Sequence, residues 1–224
     1  MSTLSLHGYY RSSTSYRVRI ALALKGLEAE QVPINLLKEE VRGDAYLALN
    51  PQGLVPTLIV VDDDSPEGSL PGVVTQSLAI MEYLEERWPT PALLPDDPLA
   101  RAHVRSLCLF MACEMHPLNA PRVLKYLTGE IGVDEAQKLA WYRHWVAEGF
   151  SRLEILLTAS AGRFCVGDTP GMADACLMPQ IHNARRFECD LSAYPCILRI
   201  EAACQQEEAF RLAHPSQQAD APHQ

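Results

Sequence analysis

The sequence has no long apolar run, no basic excess and no cysteine before Cys108. Nowhere in its 224 residues do the roughly 18–20 consecutive apolar positions needed to cross a bilayer occur, so no membrane partner is expected. The opening residues show no basic stretch leading into an apolar one, so no secretory signal is expected and the expected compartment is the cytoplasm. Lys and Arg number 19 against 28 Asp and Glu, a formal net charge of −9. Phosphate-backbone binders carry the opposite imbalance, so no nucleic-acid partner is expected. The 7 cysteines, at 108, 113, 165, 176, 189, 196 and 204, are odd in number, scattered, and nowhere spaced Cys-x-x-Cys. That pattern fits reduced thiols rather than a disulfide framework. Chemistry in the first part of the chain cannot use a protein thiol from that part.

What is present is enough for a sizeable core, with 48% apolar and 21% charged residues. The length allows one or two domains. The best boundary is Trp88-Pro89-Thr90-Pro91, running on to Pro95-Asp96-Asp97-Pro98, because closely spaced prolines cannot continue a helix. The expected division is therefore a domain over 1–88, a linker over 89–98 and a domain over 99–224. The first domain reads β-α-β-α-β-β-α, with strands over 4–9, 29–34, 57–61 and 72–75, and helices over 15–25, 44–49 and 77–87. Pro33 demotes the second strand to a sheet edge, since proline cannot donate to a ladder. Residues 62–71 read as an acidic loop. Past the linker the spacing is helical over 100–127, 134–161, 171–186 and 195–204, and the polar tail from 215 reads as frayed.

Three segments carry chemistry. In Asn50-Pro51-Gln52-Gly53-Leu54-Val55-Pro56-Thr57, a proline directly precedes a strand. A cis Val55–Pro56 bond would turn the Val55 main chain outward, where it could pair with an extended peptide like one more strand. A trans proline that only begins the strand is the alternative. Thr75-Gln76-Ser77 lies where a strand feeds a helix, so free N–H groups and the positive dipole end could bind a carboxylate, or the residues could simply cap the helix. Tyr10-Arg11-Ser12-Ser13-Thr14-Ser15 enters the first helix, and a hydroxyl there can donate to a thiolate whose pKa the dipole lowers. With no cysteine in the loop, such a thiolate must come from a ligand. Cys108, Cys113 and His116 are near in sequence, but only the last two share a helix face, so no metal site is expected.

Taken together, these stretches resemble the zeta class of the glutathione transferase superfamily, which includes maleylacetoacetate and maleylpyruvate isomerases. The resemblance runs through Arg11-Ser-Ser-Thr-Ser-Tyr-Arg-Val-Arg19, Ala48-Leu-Asn-Pro-Gln-Gly-Leu-Val-Pro-Thr57 and Gln76-Ser-Leu-Ala-Ile-Met-Glu-Tyr-Leu-Glu-Glu86. It continues in Cys113-Glu-Met-His-Pro-Leu-Asn119, Arg122-Val-Leu-Lys-Tyr126, Gly167-Asp168, Pro179-Gln180 and Arg186-Phe187, so that it spans about 3–213. It implies an α/β thioredoxin-like N-terminal domain with a mixed four-stranded sheet, an all-α C-terminal domain, and a homodimer. It implies glutathione as cofactor, with Val55 beside cis-Pro56 on its cysteinyl main chain and Gln52 on the peptide. Gln76 and Ser77 would hold its γ-glutamyl carboxylate, and His116 and Asn119 its glycyl end. Ser12, with Ser13 and Thr14, would stabilise its thiolate. Two departures stand out: Thr14 replaces the cysteine many members carry, and Gly171 replaces the usual Ser or Thr cap three residues before the aspartate at 174. Asp174 is expected to be structural.

The implied reaction is cis–trans isomerisation of a maleyl diketo acid, with maleylacetoacetate and maleylpyruvate both open. Thiolate addition makes the double bond single, the conjugated carbonyl takes up the charge, the bond rotates and elimination returns the fumaryl isomer. A dicarboxylate needs cations, and Arg11, Arg122 and Arg186 are the candidates, since planar guanidinium forks suit carboxylates. Arg17 and Arg19 lie two apart on one helix, cannot share a face, and read as structural. The alternatives are a general glutathione transferase or peroxidase acting on α-haloacids or other small electrophiles, and a non-catalytic glutathione-fold binding protein.

Overall fold

A computed structural model describes residues 2–62 and 70–222. The residues group into two compact units, Met1–Leu93 with Glu207–Gln224, and Leu94–Gln206. Most of the acidic loop expected over 62–71 lies outside the described residues.

Unit one holds a four-stranded sheet of β1 (Ser2–Gly8), β2 (Glu30–Pro33), β3 (Thr57–Asp62) and β4 (Gly72–Thr75), in the order β2-β1-β3-β4. The β1–β2 pair is parallel, and the β1–β3 and β3–β4 pairs are antiparallel. The mixed sheet thus matches the expectation, and β2 with Pro33 lies at the edge as proline requires. Leu4, Leu6, Leu58 and Val60 are buried. Helices α1 (Ser13–Leu24), α2 (Asp44–Leu49) and α3 (Ser77–Arg87) complete the order foreseen. At the exit of β1, Gly8 is needed for close approach, because a Cβ there would meet Ser15 Oγ at 2.9 Å.

Helix α1 has little amphipathic contrast, because it buries polar residues as well as Val18, Ile20, Ala21 and Leu22. Arg17 and Arg19 are buried along it, and Lys25 is buried just past its end. Lys25 Nζ meets Glu85 Oε2 at 2.7 Å, the Trp88 carbonyl at 2.6 Å and the Pro91 carbonyl at 2.8 Å. Glu85 Oε2 also accepts from the Leu93 N–H at 2.8 Å. The first part of the proline segment is therefore tied to unit one rather than running as a free linker. Its Thr90–Pro91 bond is cis, which the sequence did not suggest.

The chain's last segment corrects two expectations. The helical domain was expected to run to 224 with a frayed tail, yet Glu207–Gln224 groups with unit one. Here α9 (Glu208–Ala213) packs on α1, with Phe210 and Ala213 buried. Arg19 Nε donates to the Ala213 carbonyl at 3.1 Å, and the His214 ring meets the Tyr16 ring edge-on at 6.0 Å. Asp220 Oδ2 accepts from the Tyr10 N–H at 2.9 Å. Six residues of apolar spacing carry almost no periodicity signal, which is why α9 was not expected, and the segment from 215 read as frayed because it is polar and rich in Pro and Ala.

Unit two is helical, as expected: α4 (Pro98–Leu109), α5 (Pro121–Tyr126), α6 (Glu135–Ser160), α7 (Met172–Arg186) and α8 (Pro195–Gln206). Asp97 caps α4 and Asp134 caps α6. One continuous helix over 100–127 was expected apart from its prolines. Instead the chain widens into π turns at Phe110–Met115 and Leu127–Ile131, with a 3-10 turn at Pro117–Asn119. Gly171 is the cap of α7, and Asp174 accepts from the Gly171 and Cys165 N–H groups at 2.9 and 2.8 Å. Burial pushes its pKa up while those donors pull it down. This is the structural role expected of it. No described helix is long and apolar enough to cross a membrane.

Two outcomes follow. Lys25→Met leaves Glu85 buried without its cation and should cost about 3 kcal/mol in urea denaturation, with Lys25→Met/Glu85→Leu recovering much of that. His214 has its pKa lowered from 6.5, by burial first and the Arg19 charge second. Its neutral form is thus favoured by folding, so its contribution is full above that value and is lost as pH falls below it. The denaturation midpoint should drop on acidification below pH 6.5, and His214→Gln should flatten that drop.

Candidate active site

Sheet register brings the three informative segments together. His7 pairs with Thr57, and Thr57 with Thr75, so the loop after β1, the turn before β3 and the junction after β4 all leave at one end of unit one's sheet. Ser12, Ser13 and Thr14 lie in the first of these, Gln52, Val55 and Pro56 in the second, and Gln76 and Ser77 in the third.

Ser12 caps α1, and its Oγ accepts from the Ser15 N–H at 3.3 Å. The first turn of α1 holds no acidic residue that would oppose its positive end from within the helix. Ser12 Oγ lies 2.8 Å from Thr14 Oγ1, and Thr14 Oγ1 donates to the Val55 carbonyl at 2.8 Å. A hydroxyl has one proton, so with Thr14 committed to Val55, Ser12 is the donor to Thr14. Ser13 is buried in the first turn, and Arg11 is half-buried in the loop.

The Val55–Pro56 bond is cis, as one of the two sequence readings required. The preceding Leu54 carbonyl is held by Tyr46 Oη at 2.7 Å and Asn50 Nδ2 at 2.8 Å. Both groups also meet Thr57 Oγ1 at 3.0 Å. Tyr46, Asn50 and Thr57 are buried, and burial raises the Tyr46 pKa, so its hydroxyl keeps its proton. This support makes the Val55 turn rigid, and the sequence reading missed it. The Asn-Pro turn was visible, but its buried tyrosine partner carried no local signal.

At the third segment Gln76 takes φ 68°, a left-handed conformation that is costly for a side chain and collects at functional sites. Its Nε2 donates to Gln52 Oε1 at 2.5 Å, and Gln52 Nε2 donates to Thr75 Oγ1 at 3.3 Å. Gln52 and Gln76 therefore form an exposed amide pair beside the α3 N-terminus. Ser77 is buried at the first position of α3, with Arg17 Nη1 donating to its Oγ at 3.3 Å.

The remaining candidates belong to unit two. His116 follows the first π turn directly, a local widening that often marks functional sites. Asn119 Nδ2 donates to the Tyr142 carbonyl at 3.3 Å, and its Oδ1 is buried with no partner among the described residues. The Tyr142 ring stacks on Phe187 at 3.6 Å, and the Arg186 guanidinium lies over Phe187 at 5.6 Å. Asn119 and Arg186 thus border the same Tyr142. Arg185 is committed to Glu201, with Nε 2.8 Å from Oε1, whereas Arg186 is exposed and bonds Asn183 Oδ1 at 3.2 Å. Arg122 is exposed on α5.

Comparison with known proteins fits this arrangement. Residues 11–87 match the family model for the glutathione S-transferase N-terminal domain. The chain is 48% identical to a maleylacetoacetate isomerase of Pseudomonas aeruginosa, over 98% of this chain and 99% of that one. A holo structure of maleyl pyruvate isomerase, a bacterial zeta-class glutathione S-transferase, superposes with TM-score 0.90 at 45% identity, covering 97% of this chain and all of that one. A maleylacetoacetate isomerase of Anaeromyxobacter dehalogenans, with glutathione bound in its active site, gives 0.88 at 42% identity and 99% of each chain. The chain belongs to the glutathione transferase superfamily, and within it to the zeta class.

Arg19 and Asp220 hold the serine loop from behind. Arg19 Nη2 donates to the Tyr10 carbonyl at 2.9 Å, and burial pushes the Arg19 pKa down to about 10. Asp220→Ala should free the Tyr10 N–H and speed its amide exchange about tenfold, near 1.4 kcal/mol, while Asp220→Asn, which keeps an acceptor, should stay close to wild type.

Proposed function

We propose that this chain is a glutathione-dependent isomerase that converts the maleyl form of a diketo acid to its fumaryl isomer. The observation that carries the proposal is the Ser12–Thr14–Val55 chain at the N-terminus of α1, whose first turn has no acidic residue, in a loop with no cysteine of its own. Support comes from relatives named for maleylacetoacetate and maleyl pyruvate, which resemble the chain about equally, so the proposal is for the diketo-acid class.

The residues fit glutathione. Val55, fixed by its cis bond to Pro56, is the main chain proposed to pair with the peptide, the α3 N-terminus with Ser77 suits the γ-glutamyl carboxylate, and the Gln52–Gln76 pair offers side-chain amides to the peptide. His116 and Asn119 are the donors proposed for the glycyl end. Bound glutathione supplies a thiolate whose reversible addition turns the substrate double bond into a single bond that can rotate.

The chain's own contribution is to hold that thiolate and position a dianion. Thr14 has one proton, which it gives to the Val55 carbonyl. A peptide N–H arriving at that carbonyl satisfies it and lets Thr14 turn toward Ser12. Ser12 then has its own proton for the thiolate, and the α1 dipole adds to the effect. Ligand seating and thiolate stabilisation are thereby linked through Thr14. Ser13, buried in the first turn of α1, is the third candidate hydroxyl of the loop. Arg186 is the foremost substrate cation, being exposed on the Tyr142–Phe187 stack, with Arg11 and Arg122 as further candidates. The same reading carries a homodimer acting in the cytoplasm, to be checked by light scattering and cell fractionation.

Ser12→Ala should lower kcat for maleylpyruvate or maleylacetone isomerisation roughly 100-fold, the scale of one lost oxyanion-type donor. Thr14→Val should cost about tenfold, since it removes only the relay. Arg186→Leu should raise KM for the diacid roughly 30-fold while leaving chlorodinitrobenzene conjugation near wild type. Efficient conjugation with no isomerisation would sink the proposal.

A further inference from the structure

Arg17 is 1% exposed in the middle of α1, among the largest fully buried side chains of the protein. Its Nη1 donates to Ser77 Oγ at 3.3 Å. Its Nε and Nη2 are buried with no hydrogen-bond partner among the described residues, and no carboxylate there neutralises it. Its two neighbouring cations are arranged otherwise. Lys25 meets a carboxylate and two carbonyls, and Arg19 meets three carbonyls.

A guanidinium cannot escape burial by losing its proton, and a buried unpaired charge is among the most costly arrangements a fold can keep. Such a cost is retained where a ligand brings the missing charge. The placement names that ligand group, because Ser77 opens α3, where backbone N–H groups and the helix dipole already favour an anion. Since Ser77 Oγ accepts from Arg17, the serine proton is released to donate elsewhere, and polarisation by the guanidinium strengthens that donation.

We infer that Arg17 is a positioning residue for the γ-glutamyl carboxylate of glutathione, acting through Ser77 and supplying the counter-charge from behind. The inference rests on the proposed role of Ser77. It also separates Arg17 from Arg19, both of which read as structural from sequence. Burial gives the two arginines the same appearance, but Arg17 points its charge at the α3 N-terminus and Arg19 at the serine loop.

The test uses the full chain and two ligands: glutathione, and its analogue lacking the γ-glutamyl α-carboxylate, 4-aminobutanoyl-cysteinylglycine. Calorimetry gives Kd for each, and kcat is read at saturating glutathione. Arg17→Met should weaken glutathione roughly 30-fold, leave the analogue within about twofold and change kcat little. Its melting temperature without ligand should hold or rise, while the upward shift caused by glutathione shrinks. Arg17→Lys, which keeps the charge and loses the fork, should weaken glutathione only several-fold, again with the analogue unchanged. It provides the same ratio if the methionine variant does not fold. Equal weakening of both ligands, or a lower melting temperature with an undiminished glutathione shift, overturns the inference. Ser77→Ala separates the two levels. Discrimination lost in Ser77→Ala but kept in Arg17→Met overturns the Arg17 role alone. Discrimination kept in both overturns the carboxylate role of Ser77 and the inference with it.

Discussion

Helix α1 takes its cations into the interior, and the rest of unit one is arranged to meet them. Lys25 fixes the end of α3 and the start of the proline segment through Glu85 and two carbonyls. Arg19 fixes the C-terminal segment and the serine loop through the carbonyls of Ala213, Tyr9 and Tyr10. Arg17 reaches the start of α3 at Ser77. Buried charges tolerate little displacement, because the partners that satisfy them are few and directional. One helix thereby sets the positions of the elements on which the candidate site depends.

The site shows the same economy at smaller scale. Thr14 connects the α1 cap to the Val55 turn, and Tyr46 and Asn50 brace that turn from below. Gln76 accepts a left-handed backbone so that its amide meets Gln52 and Ser77 begins the helix. Tyr46 and Asn50 hold the Leu54 carbonyl beside the Val55 turn, and Arg17 holds Ser77. Such backing matters because a donor displaced by a fraction of an ångström loses much of its worth.

Much of this was legible in the chain. Proline before an apolar strand suggested the Val55 turn, hydroxyls before a helical run suggested the α1 cap, and Pro33 placed β2 at an edge. What local signals could not supply was partnership across distance. Nothing around Tyr46 shows that its hydroxyl reaches Leu54, and nothing around Asp220 shows that it meets Tyr10. Periodicity separated Arg17 from Arg19 but could not say which reached Ser77, since both are simply internal. The π turns escaped for a related reason, because one residue of extra winding leaves apolar spacing nearly intact. The C-terminal helix escaped because six residues are too few to show a period.

The grouping of Glu207–Gln224 with Met1–Leu93 has a consequence for how the protein is made. A ribosome delivers the sheet first and the whole helical unit next, yet the segment that meets Arg19 and Tyr10 arrives at the end. Until then Arg19 lacks the Ala213 carbonyl and the serine loop lacks Asp220. The Tyr10 N–H and the Arg19 guanidinium thus gain these partners only after translation has passed Asp220. A nascent chain stalled short of that point carries the complete sheet and a Tyr10 N–H still without its carboxylate.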